Sequence, residues 1–242
     1  MIRGLYTSAS GMVAQLRAQD VSANNLANVN TPGFKKDIPT FAAFPELFLY
    51  RLNDGAPSPM GTSPPPAPVG TLGTGVFLEE VVTGLGQGNL QETGRELDFA
   101  LDGEGFFVVN TPRGRRYTRN GSFKEGPGGE LVTGAGYQVV GREGTLVYAG
   151  SGNLVEQLLV VDFPPGTELT KEGDSLYTAS TPGSAVDQPR IIQGALEQAN
   201  VNAVTAMVEM IAGIRAYEAN QKALQTQDQT LEKAVNEVGR VR

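Results

Sequence analysis

All 15 prolines of this 242-residue chain lie between Pro32 and Pro189. A proline inside a helix removes one backbone hydrogen bond and costs about 3 kcal/mol. Residues 1–31 and 190–242 are therefore free to be long helices, and the middle is not. Glycine agrees, because 20 of the 31 fall between Gly70 and Gly152, where turns use their backbone freedom. Charge divides the chain the same way. Residues 1–36 hold four basic groups and one acidic, whereas residues 37–190 hold ten basic and nineteen acidic.

The C-terminal end carries the strongest periodicity. Leu196, Ala203, Met210, Tyr217, Leu224, Leu231 and Val238 recur every seven residues. Four residues after each comes a second series: Asn200, Met207, Ile214, Gln221, Asp228, Val235 and Arg242. Alternating steps of four and three keep one helical stripe facing a partner, as in a coiled-coil seam. A single amphipathic helix lying on its own core has the same pattern. Against it stands length, since some 45 helical residues span about 65 Å. At the N-terminus Ile2, Leu5, Ala9, Met12, Leu16, Ala23 and Leu26 repeat the pattern, up to a stop at Thr31-Pro32-Gly33. These readings predict a mixed α and β chain. Long N- and C-terminal helices, in 1–34 and 190–242, pair as a coiled-coil-like domain.

Between the ends, residues 35–75 read as an extended, proline-rich linker. Pro57-Ser58-Pro59 and Pro64-Pro65-Pro66-Ala67-Pro68 favour polyproline II there. Residues 76–189 read as an inserted antiparallel all-β domain. Gly105–Val109 meets Arg115–Arg119 across Thr111-Pro112-Arg113-Gly114, a predicted hairpin. Asn120-Gly121 and Pro127-Gly128-Gly129 mark turns, with further strands at Tyr137–Val140, Thr145–Tyr148, Leu158–Phe163 and Leu176–Thr178.

Chemistry finds little to work with. The chain has no Cys and no His, which excludes thiolate and imidazole metal sites, Cys–His pairs and every Ser–His–Asp triad. Gly84-Leu-Gly86-Gln-Gly88 has the wrong spacing for a dinucleotide fingerprint and no Gly-Lys-Ser/Thr closes a P-loop. Asp98, Asp102 and Glu104 lie close in sequence without the ligand ladder of a calcium loop. Arg113, Arg115, Arg116 and Arg119 form the one basic cluster, which strand alternation splits over two faces. A net charge of −7 opposes sequence-independent nucleic-acid binding. No apolar run approaches the length that crosses a bilayer, and residues 1–20 lack the uninterrupted apolar core of a cleavable signal. The expectation is a non-enzyme without cofactor or metal, nucleic-acid partner or membrane insertion. A carboxylate enzyme on a β scaffold and a free-standing coiled-coil adaptor remain as alternatives.

One stretch is specific enough to name a family. Ser22-Ala-Asn24-Asn25-Leu26-Ala27-Asn28-Val29-Asn30-Thr31-Pro32-Gly33-Phe34-Lys35 resembles the N-terminal signature of the flagellar basal-body rod and hook proteins. Gly103-Glu-Gly-Phe-Phe107, Tyr117-Thr-Arg-Asn-Gly-Ser-Phe123 and Gly129-Glu-Leu-Val132 are similar to that family's β domain. Glu197-Gln-Ala-Asn200-Val201-Asn202 and Arg215-Ala-Tyr-Glu-Ala-Asn220 resemble its C-terminal helix, and Ala-Asn-Val-Asn occurs at both 27–30 and 199–202. Within the family the opening Met-Ile-Arg-Gly-Leu-Tyr resembles the distal rod subunits, with the proximal rod subunits as the alternative. The resemblance implies a structural subunit exported by the flagellar type III apparatus without a cleavable signal. It implies a helical homopolymer, in contact with neighbouring rod and hook proteins, forming the hollow shaft of the basal body. Terminal apolar positions would then be the assembly interface: Ile2, Leu5, Ala9, Met12, Leu16, Ala23 and Leu26 at one end, and Leu196, Ala203, Met207, Met210, Ile214, Tyr217, Leu224, Leu231, Val235 and Val238 at the other.

Overall fold

The structure, a computed structural model, describes residues 2–51, 67–142, 147, 153–164, 166–173 and 175–238. Residues 57–66 of the expected polyproline stretch, and all but Val147 of the expected strand Thr145–Tyr148, lie outside them. The chain opens with α1 (Ile2–Ala27), followed by β1 (Asp37–Ala43), β2 (Leu47–Arg51), β3 (Ala67–Leu72) and β4 (Val76–Thr83). Then come β5 (Leu90–Glu92), β6 (Phe99–Leu101), β7 (Phe106–Thr111), β8 (Gly114–Thr118), β9 (Lys124–Glu125), β10 (Leu131–Val132) and β11 (Gln138–Val139). A one-turn helix, α2 (Leu154–Gln157), precedes β12 (Val160–Asp162), β13 (Leu169–Lys171), β14 (Leu176–Ala179), β15 (Ser184–Ala185), β16 (Ile191–Gln193) and β17 (Ala195–Glu197). Last comes α3 (Ala203–Lys233), continued by a π-helical turn, Ala234–Val238.

These elements gather into two compact units, each discontinuous in sequence. One comprises Asn25–Lys36 and Thr83–Ala203. Its largest sheet runs β13-β14-β8-β7-β11-β10-β9, with β12 joined to β7 and β15. The expected hairpin is β7–β8, registered from Phe107↔Thr118 to Thr111↔Gly114. Phe106-Phe107-Val108-Val109 is buried along its whole length, as a strand covered on both faces must be. Phe107 and Val109 enter the main core with Phe99, Phe123, Leu131 and Leu158, and Val108 joins Val140 and Val161 in a smaller cluster. Phe107 and Phe123 meet edge to face at 5.5 Å between centroids.

The other unit comprises Met1–Asn24, Asp37–Val82 and Val204–Arg242. Here β1 pairs with β4 and β2 with β3, so residues 35–75 contribute strands where the sequence suggested a linker. The β2–β3 pairing shifts register between Leu49 and Tyr50, and Ser10 Oγ on α1 accepts the Val76 amide at 3.3 Å.

Helices at both ends and an antiparallel β region are present, but the coiled-coil-like pairing of the helices is not. Helix α3 begins at Ala203, so Leu196, expected as the first seam residue, lies in strand β17. Leu16, Met207, Ile214, Tyr217 and Val235 of the expected seam are exposed. Where α1 and α3 draw together, the groups facing each other are small or polar. A Cβ on Gly4 would collide with the Gln227 amide, one on Gly11 would reach Asn220 Nδ2 at 3.0 Å, and one on Gly213 Gln15 Oε1 at 3.5 Å. Glycines and amides give close approach without the apolar knobs that a coiled-coil seam requires.

Candidate functional site

The asparagine-rich signature ends α1 and turns the chain at Asn28–Gly33. Thr31 Oγ1 donates to Asn28 Oδ1 at 3.2 Å, and the Phe34 amide closes the turn on Thr31 O. Gly33 adopts φ +67°, and a Cβ there would strike the backbone of Arg119 and Asn120. Gly33→Ala is therefore expected to cost about 1–3 kcal/mol through left-handed strain and displaced backbone, read as a lowered midpoint in thermal denaturation.

Beyond the turn the chain meets the segment that precedes α3. Gly33 donates to Glu197 O at 2.7 Å, the Asn200 amide to Phe34 O at 3.3 Å, and the Lys36 amide to Asn200 Oδ1 at 2.7 Å. Asn200 Nδ2 also donates to Gly84 O and Gly86 O. Beneath this junction lies a buried charge cluster. Lys35 Nζ sits 2.5 Å from Glu197 Oε1 and donates to Gly86 O at 2.9 Å. Arg119 Nη1 lies 3.4 Å from Glu197 Oε2, donates to Gly103 O at 2.8 Å, and its guanidinium stands 5.2 Å from the Phe106 ring centre. Burial pushes the Lys35 ammonium and the Arg119 guanidinium below their ordinary pKa values, opposed in both by the Glu197 carboxylate. Lys171 Nζ covers the Phe34 ring at 4.3 Å.

Among the signature residues, Asn25, Gly33 and Phe34 are buried, Leu26, Asn28, Thr31, Pro32, Asn200 and Val201 half-buried, and Asn24, Asn30 and Asn202 exposed. Of the expected interface positions, Leu5, Ala9, Met12, Leu26, Leu196, Ala203, Met210, Leu224 and Leu231 are half-buried. Leu16, Ala23, Met207, Ile214, Tyr217 and Val235 are exposed, while the side chains of Ile2 and Val238 lie outside the described residues. The more covered side of α3 includes Ala206, Gly213, Asn220 and Gln227, each three residues after the first heptad series rather than four. Sequence reasoning missed them because two are amides and one has no side chain.

Apolar surface is divided unequally between the units. Apart from Leu85 and Ile192, every large hydrophobic side chain found exposed lies in the unit holding both helices. They include Tyr6, Val13, Phe48, Tyr50, Val208 and Ile211. Among the described residues of that unit, the buried apolar ones are two alanines, Ala14 and Ala206.

Of the three carboxylates Asp98, Asp102 and Glu104, the first two have structural partners. Asp98 accepts from Thr93 Oγ1 at 2.7 Å and pairs with Arg95, and Asp102 pairs with Arg190. In the basic cluster, Arg116 binds Glu172 at 2.7 Å, and that hydrogen bond holds the Glu172 carboxyl below its ordinary range. Among the described residues no group of three acidic side chains could hold a metal, and no helix is long and apolar enough to cross a membrane.

Three family models divide the chain along these lines. Residues 5–35, covering most of α1 and the signature turn, match the flagella basal body rod protein model. Residues 100–168, containing β7 and β8, match the D1 domain of the flagellar hook protein family. Residues 192–237, with β17 and α3, match the C-terminal model of the flagellar basal body rod proteins. The chain is also 36% identical to the flagellar basal-body rod protein FlgG of Borreliella burgdorferi, over 96% of this chain and 97% of that one. It belongs to the flagellar basal-body rod protein family. The rod protein FlgF of Caulobacter vibrioides is 32% identical, and the flagellar hook-basal body complex protein FlhO of Bacillus subtilis 30%, each over the full length of both chains. Members of this family are structural proteins of the rod, so the chain is not an enzyme.

Proposed function

We propose that this chain is a structural subunit of the flagellar basal-body rod that polymerises with copies of itself and contacts neighbouring rod and hook proteins. The observation that carries this reading is the concentration of uncovered apolar side chains on α1, α3 and β1–β4. Water-exposed Met207, Ile211 and Ile214 on one helix leave apolar area that assembly would bury, at about 25 cal/mol per Å². The expected interface residues on these helices are positions that neighbouring subunits would cover, not a seam within one subunit. The family resemblance adds delivery through the flagellar type III export apparatus. We assign the subunit to the distal rod segment rather than the proximal one, on the several FlgG relatives at 32–36% identity and on the long stretch between α1 and the β core.

Deleting the gene and imaging purified basal bodies by electron cryo-microscopy tests the assignment. A distal subunit predicts a rod that begins normally and stops short, with no hook. Basal bodies with a complete rod and hook would overturn the rod reading. Loss of the rod from its base would overturn the distal one.

A further inference from the structure

We infer that the buried cluster of Lys35, Arg119 and Glu197 is a register lock, deciding which residues of the segment entering α3 face inward. Strand β17 is three residues long and pairs with β5 as Ala195↔Glu92, Leu196↔Gln91 and Glu197↔Leu90. Alternate strand residues face opposite sides, so a slip of one residue exchanges them. In β17 the two sides are Ala195 with Glu197, and Leu196. Hydrophobic patterning would turn Leu196 inward and Glu197 to water. The structure has the reverse, with Glu197 1% exposed and Leu196 half-buried.

Charge supplies what patterning does not. Glu197 Oε1 accepts from Lys35 Nζ and from the Gly88 amide at 2.8 Å, and Oε2 faces Arg119 Nη1. These three donors come from the signature turn, the β4–β5 connection and the end of β8. A slipped strand would carry the carboxylate away, leaving Lys35, 1% exposed, without its counter-charge and Arg119, 5% exposed, with Asp162 alone. Uncompensated buried charge is penalised more heavily than one leucine gains by burial. Gly88 permits this register, because a Cβ there would run into Gln198 O. Both copies of Ala-Asn-Val-Asn flank the lock, which makes the signature turn and the approach to α3 one cooperative piece.

Hydrogen exchange of the full chain, read by mass spectrometry on peptides spanning 30–36, 193–201 and 106–118, tests this. Lys35→Met/Arg119→Met/Glu197→Leu replaces the whole charged triad by apolar groups of similar size, and such replacements often keep or raise stability. The expected result is an unchanged or higher thermal midpoint, with exchange about ten-fold faster in 30–36 and 193–201 and unaltered in 106–118. Glu197→Gln, which keeps shape and removes charge, is expected to accelerate the same two segments. Wild-type protection of 193–201 in either variant would overturn the inference. So would uniform acceleration that includes 106–118, which would make the cluster a general source of stability. If the triple variant does not fold, Glu197→Gln alone decides by the same readouts.

Discussion

Phe107→Ala is expected to destabilise the β unit by about 3–5 kcal/mol, the usual cost of emptying a buried phenylalanine site. Phe107 is fully buried, edge-on to Phe123, and sits on β7 opposite Thr118 of β8 and Val160 of β12. Three strands converge around that ring, so the cavity cannot close by moving one of them. Domains of this kind are stable by about 5–15 kcal/mol in total, and the loss is a large part of that. Phe48→Ala is the matched control. Phe48 is 67% exposed on β2, and its removal should shift unfolding of the free subunit by no more than about 0.5 kcal/mol. Urea denaturation followed by circular dichroism measures both, and equal midpoints would mean that the core is not organised around β7.

The β core was legible because its signals are local. Gly105–Val109, Arg115–Arg119 and the Thr111–Gly114 turn determine one another, since a two-residue loop fixes the register of both strands. The helix stop was readable to within about one turn: α1 ends at Ala27, just before Thr31-Pro32-Gly33, and Gly33 takes the positive φ that only its identity suggested. What the sequence concealed is set by distant partners. Arg119 reads as one more arginine of a solvated hairpin, yet it is 5% exposed because Glu197, 78 residues away, draws it inward. Glu197 itself stands out only as part of a family motif, and no propensity distinguishes a buried glutamate from an exposed one.

The helices failed in a more instructive way. A heptad stripe shows that one side of a helix is apolar, not which neighbour covers it. Counting apolar residues placed the second stripe of α3 at Met207, Ile214 and Val235. Within the subunit, however, the side beside α1 includes Gly213, Asn220 and Gln227, where Gly4 faces Gln227, Gly11 faces Asn220 and Gly213 itself makes room for Gln15. The apolar stripe is thereby left facing outward. The first series, at Ala203, Met210, Leu224 and Leu231, is half-buried, and the exposed second series is a pattern suited to an interface between subunits.

Met207→Asp should separate these two roles. Met207 is 50% exposed, beside Val204, Val208 and Ile211 on the same surface of α3. In a free subunit the new carboxylate stays in water, so folding stability should move by no more than about 0.5 kcal/mol. In a polymer that covers this stripe, each subunit would forgo about 1.5–3 kcal/mol of methionine burial and would have to desolvate a carboxylate as well. Every 1.4 kcal/mol is a factor of ten in an association constant, so the concentration needed for assembly should rise about ten-fold or more. Gln225→Asp, at an exposed position outside both heptad series, brings the same charge to the same helix and should assemble as the parent does. Sedimentation of purified subunits across a concentration series, with swarming of cells carrying each variant, measures the contrast. Equal assembly of the two variants would show that subunits do not meet through this stripe, and the apolar surface of β1–β4 would become the contact to test.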